Sequence, residues 1–366
     1  MSKPNSSNRF TRILLGGLLG VPLGIFLARQ RVKLDPGDML LMMLLLLLAL
    51  YLQVLLHELG HLVMGSISGF RLYSFRVYRL VLERDNDRLR MRWHKNKGYA
   101  GLCMMVPVRD ISRRDSILYF SGGLLAHLAC IILCYLVFRY ARPAPFYQYF
   151  FVLVSAMLAL VLLLSNAIPY KTKSNFRSDG YHIRNALRNT PNYQYQQRLF
   201  FMSRQLMNGV RPSGLTERRW VDAEQFPDPV SKVNFLVMAY YHFLDAGDRD
   251  KALLYLLQTD VLLDQYPAAL KSGVQLELLY AAATLEGDKD KAMSLYEQVK
   301  SSLETETTVS HYRVSAAYQL YVKEDISLAQ QQISLALARL DAYFLRGMIP
   351  FEKAQLEAMT AGIKQL

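Results

Sequence analysis

The segment His57-Glu58-Leu59-Gly60-His61 has the residue types and spacing of a hydrolytic metal site. Residues i and i+4 lie on one face of an α-helix, so both imidazoles can reach a single ion. Two nitrogen ligands at this spacing suit tetrahedral Zn²⁺, with a carboxylate or a third imidazole completing the protein ligands. Metal-bound water would fill the fourth position, and Glu58 is placed to accept its proton. The pattern predicts a zinc-dependent hydrolytic centre.

The surroundings of this motif argue against a chance match. It follows Met39–Leu56, eighteen residues in which Gln53 is the single amide. Two histidines and a glutamate are costly to bury in an apolar helix, and such groups are functional by default. A metal that binds neutral imidazoles, together with a base that faces a wet cavity, removes that cost.

The third ligand must be a carboxylate or a histidine at the same depth along the helices. The ionisable candidates are His94, Asp110, Asp115, His127, Asp179 and His182. Pro169 ends the last apolar helix, and Asp179 follows it. This places Asp179 at the cytosolic end of the apolar helices, the end at which His61 also lies. His94 and His182 stand in basic, polar segments, so we expect them to be solvated. His127 has three interpretations: an alternative zinc ligand, a polar group that contacts the substrate or a residue that binds the metal, or a hydrogen-bonded packing residue.

The elements that position these residues are apolar helices. The chain has 366 residues, of which 52% are hydrophobic and 20% charged, and its mean hydropathy is +0.10. This composition excludes intrinsic disorder and fibrous repeats. Four stretches can each span a bilayer, and they are 13–28, 39–66, 117–138 and 146–166. We interpret the first, 13–28, as a retained helix rather than a signal peptide.

The net charge of +13 is unevenly placed. Residues 1–190 contain 25 Lys and Arg against 9 Asp and Glu, whereas the rest of the chain contains 18 against 21. If four helices cross the membrane, the basic segments 67–116 and 170–190 lie on the same side of it. The positive-inside rule then places both termini and the 67–116 segment in the cytosol. Nucleic-acid binding is not expected, because no recognition motif accompanies the basic residues.

Two further segments have a recognisable pattern. Alternation of apolar and polar residues over 70–93, with a turn signal at Asp85-Asn86-Asp87, predicts a β-hairpin near the membrane surface. It would cover the site or offer an edge strand to an extended substrate.

From about residue 230, small and aromatic residues precede a turn and a new helix, and this unit recurs twice. The turns are Gly247-Asp248, Gly287-Asp288 and Lys323-Glu324-Asp325, a pattern that resembles degenerate tetratricopeptide repeats.

The membrane half of the chain resembles the site-2 protease family of intramembrane zinc metalloproteases. The resemblance covers roughly residues 39–185 and is carried by the following motifs: His57-Glu58-x-x-His61, Asn166-x-x-Pro169, Asp179-Gly180, Ser121-Gly122-Gly123-Leu124-Leu125-Ala126-His127 and Gly98-Tyr99-Ala100-Gly101. It implies Zn²⁺ ligands His57, His61 and Asp179, and Glu58 as general base. It also implies that Asn166 holds the substrate backbone or the developing oxyanion. In this chain His127 and Gly123 replace the family's asparagine and proline, and 13 positions separate Asn166 from Asp179.

The resemblance implies a membrane-embedded endopeptidase of the bacterial cytoplasmic membrane. Its substrates would be single-span membrane proteins in regulated intramembrane proteolysis, remnant signal peptides or pheromone precursors. The C-terminal helices would recruit or gate these substrates. The alternative is a non-enzymatic membrane adaptor, in which the zinc site is structural or vestigial and the C-terminal helices bind a protein partner. The presence of Glu58 favours the enzyme, because a structural site requires ligands but no base.

The expected fold is therefore mainly α: a polytopic membrane protein with about four transmembrane helices, a small β-hairpin and an α-helical repeat domain. The expected boundaries are 1–38 for an N-terminal helix and loop, 39–190 for the zinc membrane core, 191–229 for a linker and 230–366 for the repeat domain.

Overall fold

The chain is described by a computed structural model that covers residues 35–85, 88–93, 100–141, 146–172, 175–216 and 228–365, together with Ile25. The protein is mainly helical with a small antiparallel sheet. The helix predicted at 13–28 lies outside these residues except for Ile25.

Three helices in the described part of the chain are long and apolar enough to cross a membrane. They are α1 (Pro36–Ile67), α2 (Arg113–Leu136), which a π-turn extends to Ala141, and α3 (Phe146–Ala167). Asp35 and Ser112 cap the first two through reciprocal hydrogen bonds with Asp38 and Asp115. These caps satisfy N–H groups that the first turn leaves unpaired, and they fix where each helix starts.

The helices α1 and α2 approach closely at a pair of glycines. A Cβ atom on Gly60 would lie 2.2 Å from the carbonyl oxygen of Gly122, and one on Gly122 would lie 2.3 Å from the carbonyl oxygen of Gly60. Small residues let apolar helices pack backbone to backbone. The crossing therefore lies next to His57 and His61, and it sets the distance between the histidine-bearing face of α1 and helix α2.

The predicted hairpin is part of a larger sheet. Its strands are β1 (Phe70–Val77), β2 (Leu80–Asp85), β3 (Arg88–Trp93) and β4 (Gly101–Pro107), in the order β3-β2-β1-β4. All neighbouring strands are antiparallel. The alternating run before Asp85 is two strands instead of one, because the chain turns at Tyr78, whose φ is 52°. Strand β4 adds a second edge, and Val77 pairs with Gly101 on it.

Two helices join the apolar helices to the C-terminal region. They are α4 (Asp179–Leu187) and α5 (Pro191–Met207), and both begin at a hydroxyl cap, Ser178 and Thr190. The C-terminal helices that follow are α6 (Pro229–Asp245), α7 (Arg249–Val261), α8 (Ala268–Ala281), α9 (Lys289–Thr305), α10 (Val309–Tyr321), α11 (Ile326–Leu337) and α12 (Met348–Ile363).

The three turns recognised in the sequence have the same backbone geometry. Gly247 and Gly287 have φ of 82° and 69°, and Glu324 has φ of 59° at the corresponding place. The aspartate after each of these residues caps the next helix with its side chain, and these aspartates are Asp248, Asp288 and Asp325. Left-handed backbone followed by a carboxylate cap therefore recurs in all three turns, including the one without glycine.

Candidate functional site

His57, His61 and Asp179 converge although Asp179 is distant from both histidines in sequence. The Nε2 atoms of His57 and His61 are 3.2 Å apart. Each is 3.3 Å from one oxygen of the Asp179 carboxylate, Oδ2 for His57 and Oδ1 for His61. The three residues form a cluster that could hold a metal ion.

Asp179 is brought to the histidines by a loop that packs back against the end of α3. The hydroxyl of Ser178 donates to the Ile168 carbonyl at 2.7 Å and accepts a hydrogen bond from the Tyr181 amide. Gly180 lies so close to the helix end that a Cβ atom there would be 2.0 Å from the Ala167 carbonyl oxygen. The backbone around Asp179 is thus fixed on both sides of the carboxylate.

The ring orientation of His61 follows from one backbone contact. Its Nδ1 lies 2.9 Å from the carbonyl oxygen of Tyr119. A carbonyl oxygen only accepts hydrogen bonds, so Nδ1 carries the proton and donates it. In the neutral ring, Nε2 then presents its lone pair to Asp179. This tautomer leaves Nε2 available to bind a metal ion, and the contact with Tyr119 keeps the ring in place.

The cluster matches the requirements of a small tetrahedral ion. Ligand bonds of about 2.0 Å at a tetrahedral centre separate the ligand atoms by about 3.3 Å, which agrees with the distances of 3.2 and 3.3 Å between the three residues. In addition, Asp179 Oδ2 is buried and accepts no hydrogen bond. A buried carboxylate oxygen without a donor is costly, and a cation would compensate it.

Glu58 lies beside the cluster and against the sheet. It is 7% exposed, and the backbone N–H of Cys103 donates to its carboxylate. Gly101 lies directly against it, since a Cβ atom there would be 2.3 Å from Oε1 of Glu58. The edge strand β4 therefore leaves just enough room for this carboxylate next to the two histidines.

His127 contacts His57 but does not belong to the cluster. Its Nε2 lies 3.1 Å from Nδ1 of His57, the ring nitrogen that faces away from Asp179. Its Nδ1 lies 3.0 Å from Oε1 of Gln53. This geometry fits two of the three interpretations from the sequence, a polar group beside a metal ligand and a hydrogen-bonded packing residue. Gln53 has no role in the sequence analysis, although an isolated amide in an apolar helix was a signal.

The remaining candidates for the third ligand have other partners. Asp110 pairs with Arg204 at 2.8 Å, and Asp115 pairs with Arg109 at 3.0 Å. His182, which we expected to be solvated, is only partly exposed, because its ring stacks on Phe120 with centroids 4.3 Å apart. Burial, reinforced by the charge of Arg177, lowers the pKa of His182 to about 4, so this ring is neutral at pH 7. His94 lies outside the described residues.

Asn166 lies at the end of α3 and outside the cluster. Its side-chain amide donates to the Leu162 carbonyl one turn earlier in the same helix, at 3.0 Å. The carbonyl oxygen of Asn166 faces Gly180, the neighbour of Asp179. Its contribution to the site in this conformation is therefore through the helix end that supports the Asp179 loop.

No family model, curated protein or solved structure matches this chain.

Proposed function

We propose that this protein is a membrane-embedded zinc metalloendopeptidase that hydrolyses a peptide bond in or near the transmembrane segment of a membrane-protein substrate. The observation that carries the proposal is the convergence of His57, His61 and Asp179 next to the buried carboxylate of Glu58. Two imidazoles and one carboxylate with an acid–base residue beside them match a catalytic zinc site, which keeps one coordination position open. The resemblance to the site-2 protease family supports the same assignment.

The donor set supports zinc over harder cations. Imidazole nitrogens suit Zn²⁺, whereas Mg²⁺ and Ca²⁺ prefer sites made of oxygen ligands. The chemistry that zinc supplies when bound is polarisation of the scissile carbonyl and acidification of a water molecule. His57 and His61 would hold the ion through Nε2, and Asp179 through its carboxylate.

Glu58 would move the proton. A general base must lie within hydrogen-bond reach of the proton it takes, and Glu58 is the residue that follows the first histidine ligand. The Cys103 amide fixes its carboxylate, while Gly101 leaves space beside it. The carboxylate would accept a proton from water and pass it to the leaving amine. Burial of Glu58 limits competition from bulk water.

The edge of β4 offers a place for the substrate. A transmembrane helix hides its carbonyls in i to i−4 hydrogen bonds, so hydrolysis requires a locally extended stretch. An extended peptide can add to a free sheet edge through its backbone. Strand β4 is an edge of the sheet, and its residue Gly101 lies against Glu58. This edge is closer to the chemistry than β3, the opposite edge.

The experiment compares membrane peptides from cells that carry the native protein, Glu58→Gln or Glu357→Gln. Glu58→Gln keeps the side-chain size and removes the base, whereas Glu357 lies on the exposed surface of α12 and serves as the matched control. Zinc content of each purified protein is measured in parallel. We expect one zinc per chain in all three proteins. We also expect one or a few single-span proteins or fragments to accumulate only with Glu58→Gln.

Two results would contradict the proposal. One is an unchanged set of membrane peptides with Glu58→Gln although zinc is bound, since a protease lacking its base should leave its substrate uncut. If, in addition, deletion of residues 230–366 has the same effect on the cells as loss of the whole protein, the non-enzymatic adaptor is supported. The other is the absence of zinc from the native protein.

A further inference from the structure

Gln53 and His127 are buried polar side chains that line up behind His57. Gln53 is 1% exposed and His127 is 0% exposed. Gln53 Nε2 donates to the carbonyl oxygen of Ser155 at 3.2 Å, and the sulfur of Cys130 lies 3.3 Å from the same nitrogen. The chain of contacts then continues from Gln53 Oε1 to His127 Nδ1 and from His127 Nε2 to His57 Nδ1. It therefore runs from α3 to Gln53 on α1, then to His127 on α2, and back to His57 on α1.

The donor and the acceptor of every hydrogen bond in this series follow from the Ser155 carbonyl at its end. The Ser155 carbonyl only accepts, so the nitrogen of the Gln53 amide must face it. The amide oxygen then faces His127, whose Nδ1 must carry the proton. A neutral imidazole has one N–H, so His127 Nε2 is an acceptor. His57 Nδ1 must therefore donate, and the lone pair of His57 Nε2 points toward Asp179.

We propose that Gln53 and His127 are positioning residues that hold His57 in the tautomer and ring orientation required for metal binding. This inference rests on the metal site of the proposed function and adds a determinant of its affinity. Metal-bound histidines usually donate their second ring N–H to a partner, and loss of that partner weakens metal binding. His57 receives this support from side chains.

The two histidine ligands differ in how they are held. His61 donates to a backbone carbonyl, which no single side-chain substitution removes. His57 depends on His127 and, through it, on Gln53. Substitutions that touch neither the ion nor the substrate should therefore loosen the His57 half of the site and leave the His61 half intact.

The test uses the full-length protein in detergent, stripped of metal and titrated with Zn²⁺ and with Co²⁺, whose absorption spectrum reports ligand geometry. His127→Phe keeps a ring of similar size but removes the acceptor for His57. Gln53→Met keeps an unbranched chain but removes the acceptor for His127. We expect each variant to bind Zn²⁺ about 10- to 100-fold more weakly and to give an altered Co²⁺ spectrum.

Two further variants make the result specific. His127→Gln carries an amide with one acceptor and one donor, spaced much as the two ring nitrogens are, and should recover most of the Zn²⁺ affinity. Cys130→Ala removes a second contact of Gln53 Nε2 but leaves the Ser155 carbonyl that fixes the amide. We expect this variant to bind Zn²⁺ and Co²⁺ as the native protein does.

The proposal is overturned if folded His127→Phe retains native Zn²⁺ affinity and the native Co²⁺ spectrum. It is also overturned if Cys130→Ala weakens binding as much as His127→Phe does. Circular dichroism establishes folding, and if His127→Phe does not fold, Gln53→Met and His127→Gln decide the question by the same titration. Failure of the native protein to bind either ion would instead overturn the proposed function.

Discussion

Arg177 forms an ion pair with Asp228, which joins the loop before Asp179 to the first C-terminal helix. Asp228 is 3% exposed and also receives Lys171 at 3.1 Å. Its carboxylate caps α6 by accepting from the Ser231 amide. The chain between Asn166 and Asp179 is therefore anchored on the C-terminal helices. The C-terminal region therefore contributes to the position of Asp179, a ligand of the proposed metal site.

Asp228→Asn should destabilise the protein by about 1–2 kcal/mol at pH 7. Burial alone would raise the pKa of Asp228, but Arg177, the Ser231 amide and Lys171 outweigh it and lower the pKa to about 2. A carboxylate with a depressed pKa stabilises the fold above its unfolded pKa of about 3.9. The difference in unfolding free energy between native and variant protein should be constant above about pH 4 and shrink as pH falls toward 2.

Thermal unfolding in detergent, followed by circular dichroism at several pH values, measures this difference. The control is Asp264→Asn, because the fully exposed Asp264 also pairs with a lysine and should contribute little. An equal effect of the two substitutions would show that the buried ion pair does not anchor the loop.

Gly101→Ala should impair Glu58 without removing the metal. The new Cβ atom would lie 2.3 Å from Oε1 and 2.7 Å from Cγ of Glu58, so the carboxylate must move. Misplacement of a catalytic group by about 1 Å can cost about 100-fold in rate. We expect cleavage of the substrate identified with Glu58→Gln to slow by about 10- to 100-fold at unchanged zinc content.

The matched control for this substitution is Gly273→Ala on α8, where a Cβ atom meets nothing within 4 Å. It should leave cleavage unchanged and slightly stabilise the helix, because alanine favours helices more than glycine does. A Gly101→Ala protein that cleaves at the native rate would argue against the assigned position of the base.

Glu324→Gly should stabilise the protein. Glu324 adopts φ of 59° in the third turn, a conformation that costs a side-chain-bearing residue about 1 kcal/mol. Its ion pair with Lys289 is exposed and contributes little. We expect a gain of about 0.5–1 kcal/mol in thermal unfolding, and almost no change for Glu324→Gln, which removes the charge alone. A loss of stability in Glu324→Gly would mean that the side chain matters more than the backbone.

Arg313→Met should destabilise the C-terminal helices by about 3–5 kcal/mol. Arg313 is fully buried and pairs with Glu277 at 2.6 Å and Glu352 at 2.7 Å. Removal of the guanidinium leaves two carboxylates buried without a counter-charge. Urea unfolding measures the loss, with Lys353→Met as control, since the exposed Lys353 pair with Glu357 should contribute less than about 1 kcal/mol. Similar values for the two variants would contradict this account.

Local patterns predicted the elements and the shared helix face of His57 and His61. The long apolar runs gave the helices α1, α2 and α3 within a few residues. The spacing of His57 and His61 alone places both on one helix face. The turn at Glu324 could be matched to Gly247 and Gly287 by its position in the repeat, although it lacks glycine.

The tertiary structure decided what depends on distant residues. Six ionisable groups were candidates for the third ligand, and only packing of α4 against the end of α3 brought Asp179 to the histidines. The turn at Tyr78 divided one predicted strand into two, and β4 completed the sheet against Glu58. The role of His127 was open in the sequence because a hydrogen bond is defined by its partner, and both of its partners, Gln53 and His57, are on another helix. The periodicity of a sequence determines which face of a helix is apolar. The packing of helices against one another determines which polar groups come into contact.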